Sequence, residues 1–354
     1  MNNKTALNIA FCFLGSTLLI WLLKISAPGP NQQKNNFIRI FPPHFLQIAN
    51  TLNLNNARYY IAGQTNHLIY LGNSTDQANL VGSDWLGINK YSFHIQIPNK
   101  EVSFVPDLQV NIDSPYLYIN NDITGSVWRR QLANNDELLT ELFTSHISNS
   151  IFLSCSGNSF AIRTFDRNLK QNILAKLSYK STYLSKWPLL LKNQLEGVFS
   201  SDGVLRFEPI SGKFVYVYFY CNQFVCLDSN LRLQYRGQTL DTNSHVKIRV
   251  AAIPSQDETL IASPGFRENR AACISSDWIF VNSELQADNE EKKIFDQYLV
   301  IDVYGLKDGH YHFSFYLPKE TGKISDMAIK DSILVTIQNR SLVFYTLNIR
   351  EIKK

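Results

Sequence analysis

The sequence predicts an all-β fold for the body of this chain. Three observations predict it: a composition rich in aromatics, a strand-turn-strand unit that recurs, and almost no segment with helical periodicity. Of 354 residues, 45% are hydrophobic, with 22 Phe and 17 Tyr against 2 Met. Aromatic bias of that kind favours strands. Charged residues make up 18%, below the roughly 25% of ordinary soluble chains, and Asn, Ser and Gln supply polarity that suits turns.

The recurring unit is an apolar run, a short polar turn and a second apolar run. It appears as Tyr59 to Ala62 with His67 to Leu71, and as Tyr116 to Ile119 with Ser126 to Arg129. It returns as Ile151 to Cys155 with Phe160 to Phe165, and as Phe214 to Tyr220 with Phe224 to Leu227. Ala271 to Ile274 with Trp278 to Val281, and Ile333 to Ile337 with Leu342 to Leu347, complete six hairpins. They start at uneven intervals of about 35 to 63 residues, which reads as loop insertions, such as Ser178 to Leu191 and the charged stretch Asp288 to Lys293. Three hairpins are followed by one local pattern: Phe165-Asp166-Arg167-Asn168-Leu169, Leu227-Asp228-Ser229-Asn230-Leu231 and Val281-Asn282-Ser283-Glu284-Leu285. Asp and Asn accept tight-turn geometry there, and the Leu restarts a strand.

A sandwich strand wets one face and alternates apolar with polar residues. Phe214 to Tyr220 is apolar or aromatic at every position, as a strand covered on both faces would be. Radially stacked sheets cover their middle strands in this way. Parallel sheets also do so, but they need long, usually helical crossovers, and only Asp136 to Phe143 and Phe45 to Leu54 read as short helices. The predicted architecture is therefore a six-bladed β-propeller over residues 37–350, preceded by an N-terminal transmembrane or signal helix.

That helix is read from Ala6 to Leu23, an uncharged run of 18 residues after Lys4. It sits at the short limit of a membrane span and is apolar on nearly every face. Ile25-Ser26-Ala27 is a poor cleavage site, and Cys12 lacks the context for lipid attachment, so residues 1–25 read as an uncleaved signal anchor in preference to a cleaved signal peptide. Residues 26–36 (SAPGPNQQKNN) form a flexible stalk. The expected location is an inner-membrane anchor with the propeller in the periplasm or outside the cell, secreted if the segment is cleaved.

These features resemble bacterial exported six-bladed propellers of the NHL or TolB-like kind, through the repeat and turn signatures such as Leu227-Asp228-Ser229-Asn230-Leu231, over roughly Phe37 to Leu347. The resemblance implies a ligand or partner bound in a central depression, and some propellers are lactonases or lyases. It also implies that Phe37-Ile38-Arg39-Ile40 completes the last blade beside Leu342 to Leu347.

The formal charge of +4, from 34 Lys and Arg against 30 Asp and Glu, is spread along the chain, so nucleic acid is not an expected partner. No nucleophile, Walker or His-Glu-x-x-His signature is present. Cys221 and Cys226 flank a turn and are a candidate disulfide, against the reading of Cys155, Cys221, Cys226 and Cys273 as small buried hydrophobes. His310 and His312 would share a strand face but lack a third metal ligand. Candidate ligand-binding residues are Arg267 and Arg270, in a polar loop ahead of a strand, and His245, Lys247 and Arg249 at alternate positions of another, against the reading of these charges as solvated surface. The functional expectation is a membrane-tethered module binding a protein or carbohydrate ligand. The alternative is a hydrolase or lyase acting on a sugar, lactone or glycan with loop-borne catalytic residues. No cofactor is expected, with Ca²⁺ in the channel reserved for the enzymatic case.

Overall fold

The computed structural model describes residues 14–18, 34–96, 108–134, 137–148, 150–155, 159–179, 181–192, 199–246, 249–253, 258–263, 267–320 and 322–348. The chain divides into the compact units Met1–Asn35 and Asn36–Lys354. In the first unit residues 14–18 are helical. No helix among the described residues is long and apolar enough to cross a membrane. Most of the apolar run, with Lys4 and Cys12, lies outside the described residues, as do residues 26–33 of the stalk.

The second unit is built from four-stranded antiparallel sets in sequence order. The first set is β2 (Tyr59–Gln64), β3 (Leu68–Asn73), β4 (Asn79–Asp84) and β5 (Lys90–His94), and the next is β6 (Leu108–Asp113), β7 (Tyr116–Asn121), β8 (Ser126–Gln131) and β9 (Thr140–Thr144). Then come β10 (Ile151–Cys155), β11 (Ser159–Asp166), β12 (Gln171–Ser178) and β13 (Ser181–Trp187), followed by β14 (Gly203–Glu208), β15 (Lys213–Tyr218), β16 (Gln223–Leu227) and β17 (Leu233–Gln238). After a two-stranded hairpin, β18 (Arg249–Ile253) with β19 (Glu258–Ser263), the chain forms β20 (Asn269–Ile274), β21 (Trp278–Ser283), β22 (Tyr298–Gly305) and β23 (Tyr311–Pro318). The final set joins both ends of the body: β24 (Ile324–Lys330), β25 (Ile333–Gln338) and β26 (Ser341–Leu347) accept β1 (Leu46–Asn53) antiparallel along β26.

Each expected hairpin falls in a different set, but at two phases. Those beginning at Tyr59, Ile151 and Ala271 are first and second strands, whereas those at Tyr116, Phe214 and Ile333 are second and third. This offset, added to the β18–β19 insertion, accounts for the uneven spacing. Four other expectations are corrected. Of the stretches read as helical, Asp136 to Phe143 overlaps strand β9 and Phe45 to Leu54 contains strand β1, because cross-strand pairing outweighs local propensity in short segments. Ser178 to Leu191 is no mere insertion, since it contains β13, the fourth strand of its set. The strand beside β26 is Leu46–Asn53 and not Phe37 to Ile40.

The first strands β2, β6, β10, β14, β20 and β24 neighbour one another in that order, and β24 returns to β2. Between β2 and β6 the approach is close enough for a parallel bridge, Gly63 opposite Ile112 and Gln64 opposite Asp113. A Cβ on Gly63 would lie 2.2 Å from the Ile112 carbonyl oxygen, and its φ of +150° is one that glycine accepts readily. Apolar side chains fill the space between successive sets, and the middle strands feed both neighbours. On β15, Phe214, Tyr216 and Tyr218 pack with Leu174 and Leu205 toward the preceding set, while Val215 and Val217 pack with Ala272, Ile279 and Tyr304 toward the following one. On β26, Val343 and Tyr345 face one neighbour, and Leu342 and Phe344 the other. Strands covered on both faces need no polar alternation, which is the physical origin of the unbroken aromatic runs. Sheets stacked face to face around a ring of first strands make this body a β-propeller.

Phe37 to Phe41 instead form a strap over the β20–β23 set. Phe37 packs on Leu285 and Ala287, and Phe41 stacks on Tyr316 with ring centroids 4.3 Å apart. Beneath the strap, buried Arg39 pairs with Asp302 through Nε at 2.7 Å and Nη2 at 3.0 Å, and also with Glu290. Ser314 Oγ donates to Asp302 and Tyr316 Oη to Glu290, so both carboxylates are further satisfied.

Candidate functional site

All the first strands contribute to one central cavity of about 360 Å³. Local strand chemistry decides what each presents. Strand β6 reads Leu-Gln-Val-Asn-Ile-Asp: Leu108, Val110 and Ile112 are buried against the preceding set, while Gln109, Asn111 and Asp113 are half-buried and line the cavity. Strand period sets this alternation. Tyr60 on β2 anchors the same wall, its hydroxyl oxygen accepting the Val110 N–H at 2.7 Å. Burial pushes the Tyr60 phenol up to about 12, against that hydrogen bond.

The opposite wall carries an ion pair. Arg206 on β14 donates through Nε to the Ala272 carbonyl at 2.8 Å and pairs with Asp326 on β24. Asp326 in turn accepts the backbone N–H groups of Ile61 and Met327, each at 2.9 Å. One Arg–Asp pair therefore ties β14, β20, β24 and β2 together. Asp113 accepts a hydrogen bond from Ser154 Oγ on β10 at 2.8 Å. Asn111 Nδ2 is buried with no hydrogen-bond partner among the described residues. Phe219, which also lines the cavity, carries the Arg267 guanidinium 4.8 Å above its ring, and Arg267 Nε donates to Tyr220 Oη at 3.4 Å.

The sequence-predicted residues are placed as follows. Arg267 stands beside the cavity through Phe219. Arg270 is engaged elsewhere, donating to the Ile324 carbonyl at 2.9 Å and lying 3.6 Å from Glu284, which Lys323 also contacts at 2.8 Å. His245 is exposed, its Nδ1 3.0 Å from Ser244 Oγ, and lies ahead of the strand in which it was expected. Lys247 lies outside the described residues, and Arg249 opens β18 opposite Ser263. Cys221 and Cys226, the candidate disulfide, are free thiols. Cys221 packs toward the β10–β13 set and Cys226 toward the β20–β23 set, so the sheet stands between them. Burial pushes the Cys221 thiol up to about 12 and raises that of Cys226. His310 lies 3.4 Å from Asp308, and His312 packs edge-on against Trp278. Among the described residues no three His, Cys, Asp or Glu side chains gather as a metal site.

Sequence reasoning missed Gln109, Asn111, Asp113, Ser154, Arg206 and Asp326. Alternation in Leu108 to Asp113 was the available signal, since it marks a strand with one wet face among otherwise unbroken apolar runs.

No protein-family model matches the chain, and no curated protein matches it. Among solved structures it is similar to the Pan2 WD40 domain of Neurospora crassa, with TM-score 0.47 and 9% identity over 88% of this chain and 98% of that one. It is also similar to a member of the DUF4221 family from Bacteroides vulgatus, with TM-score 0.46 and 10% identity over 86% and 98%. A chain of a nidogen/laminin complex gives TM-score 0.42 and 9% identity over 73% and 81%.

Proposed function

We propose that the chain is a six-bladed β-propeller, tethered to a membrane through residues 1–25 and exposed outside the cytoplasm, that binds a ligand or partner in its central cavity without turning it over. The observation that carries the binding reading is the cavity itself, lined by every first strand and furnished with amides, hydroxyls and apolar wall, at a volume within the range of small-ligand pockets. Of its two carboxylates, Asp326 is engaged by Arg206 and two backbone N–H groups, so Asp113, which accepts one hydrogen bond from Ser154, has no second free acid or base beside it among the described residues. General acid-base work needs groups free to exchange protons with a substrate. The tether rests on the uncharged run from Ala6 to Leu23.

The test uses the full chain in detergent micelles and a small-molecule and glycan panel read by ligand-observed NMR. Asn111→Trp fills the cavity from a half-buried position whose amide nitrogen has no partner among the described residues. The variant is expected to melt with the parent and to lose the parent's ligands. Turnover of a sugar lactone or glycan, or binding that Asn111→Trp leaves intact, would overturn the reading. For the tether, deletion of residues 1–25 is expected to move the protein from the membrane to the soluble fraction.

A further inference from the structure

We infer that the ligand of the central cavity carries a primary ammonium group, seated on Asp113. The inference rests on the cavity-binding reading above and adds the ligand's charge to it. Among the described residues, three charged side chains line the cavity: Arg206, Asp326 and Asp113. Arg206 and Asp326 neutralise each other. Asp113 has no ion-pair partner among the described residues, and its one hydrogen bond comes from the neutral Ser154 hydroxyl. Two cations on the flanking sets make other contacts and no ion pair with Asp113. Arg129 stacks over Tyr116 at 4.3 Å and Tyr179 at 5.4 Å, and Lys176 Nζ donates to the Ser229 carbonyl at 2.7 Å.

The charged side chains that line the cavity therefore sum to one negative charge in a partly enclosed space, with Arg267 set outside it over Phe219, and a cation at Asp113 gains more there than it would in water. A metal ion is a poor match, because hard cations collect six or more oxygens and the described residues gather no three His, Cys, Asp or Glu side chains around Asp113. An organic ammonium needs fewer partners. Its three N–H donors suit a carboxylate beside an amide, and the parallel bridge sets Gln64 level with Asp113. Ile112 and Ile329 supply apolar wall for the carbon skeleton. A hydroxyl could also donate to Asp113, but it brings one donor and no charge, whereas the ammonium brings three donors and a direct Coulombic attraction.

The experiment compares n-butylammonium, n-butanol and butyrate, three probes of nearly one shape, on the full chain at neutral pH by ligand-observed NMR. Butylammonium is expected to bind about tenfold or more tightly than either other probe. Asp113→Asn should erase that preference, and Asn111→Trp should abolish binding. Equal binding of the three probes, all lost in Asn111→Trp, overturns the ammonium assignment and leaves the cavity reading standing. Butylammonium binding that ignores both substitutions overturns both. No binding of butylammonium at millimolar concentration also overturns the assignment. Should Asp113→Asn melt early, the parent's preference among the probes decides by itself, since it needs no variant.

Discussion

Replacing Arg39 with Met tests how the strap is held. The Arg39 and Glu290 side chains are fully buried and that of Asp302 is 3% exposed. Burial lowers the Arg39 pKa and the Asp302 and Glu290 carboxylates raise it, and the carboxylates prevail, so the guanidinium is charged at every accessible pH. Methionine keeps much of the apolar stem but leaves two buried carboxylates facing each other. Breaking a buried pair by removing one partner costs about 3–5 kcal/mol. With an unfolding entropy of about 2.1 cal/mol/K per residue over roughly 300 residues, that is a fall of about 5–8 °C in Tm. Urea denaturation and calorimetry of the full chain measure it. The triple variant Arg39→Met, Glu290→Gln, Asp302→Asn should recover most of the loss, because it removes the stranded charges along with their partner. A fall of less than about 1 kcal/mol in the single variant, or no recovery in the triple, would refute the account of the strap as a charge-held element.

Further outcomes follow from other sites. Burial raises the Asp241 pKa although Thr239 and the Asn243 N–H bond its carboxylate. The folded state therefore holds the proton longer than the unfolded one, so stability falls as pH rises from the unfolded pKa of about 3.9 through the folded value. Denaturation of Asp241→Asn should match the parent at the acid end and exceed it at neutral pH, and a gap that widens on acidification would contradict this. Gly63→Ala should cost about 2 kcal/mol or more in chemical denaturation, since its Cβ would meet the Ile112 carbonyl oxygen at 2.2 Å and its φ is strained for alanine; a neutral effect would count against the parallel bridge. Cys155, Cys221, Cys226 and Cys273 are buried, and burial raises all four thiols. They should resist iodoacetamide until the protein unfolds, and native labelling at any of them would disprove that burial.

The uninterrupted run Phe214 to Tyr220 was enough to announce a strand with no wet face, and the hairpins from Tyr59 to Leu347 were legible as strand-turn-strand units because side-chain period and turn residues act locally. Asp166 and Asp228 hold their turns as their type suggests, each accepting backbone N–H groups two or more residues on. Segments with mixed pattern were misread: Leu46–Asn53 and Thr140–Thr144 lie at outer edges, where half-exposed residues obscure the period and pairing alone makes the strand. The candidate disulfide failed for a related reason, since five residues of separation between Cys221 and Cys226 say nothing about which face of a sheet each thiol enters.

The sequence by itself determined that this chain would form many short, twice-covered strands, because composition and period dictate what a strand buries. Only the tertiary structure decided which distant residues meet. Arg39 reaches Asp302 across 263 positions and Arg206 reaches Asp326 across 120. Those partners are chosen by closure of the ring of first strands and by the β1–β26 pairing, and closure is a property of the whole chain that leaves no mark on any local stretch of it.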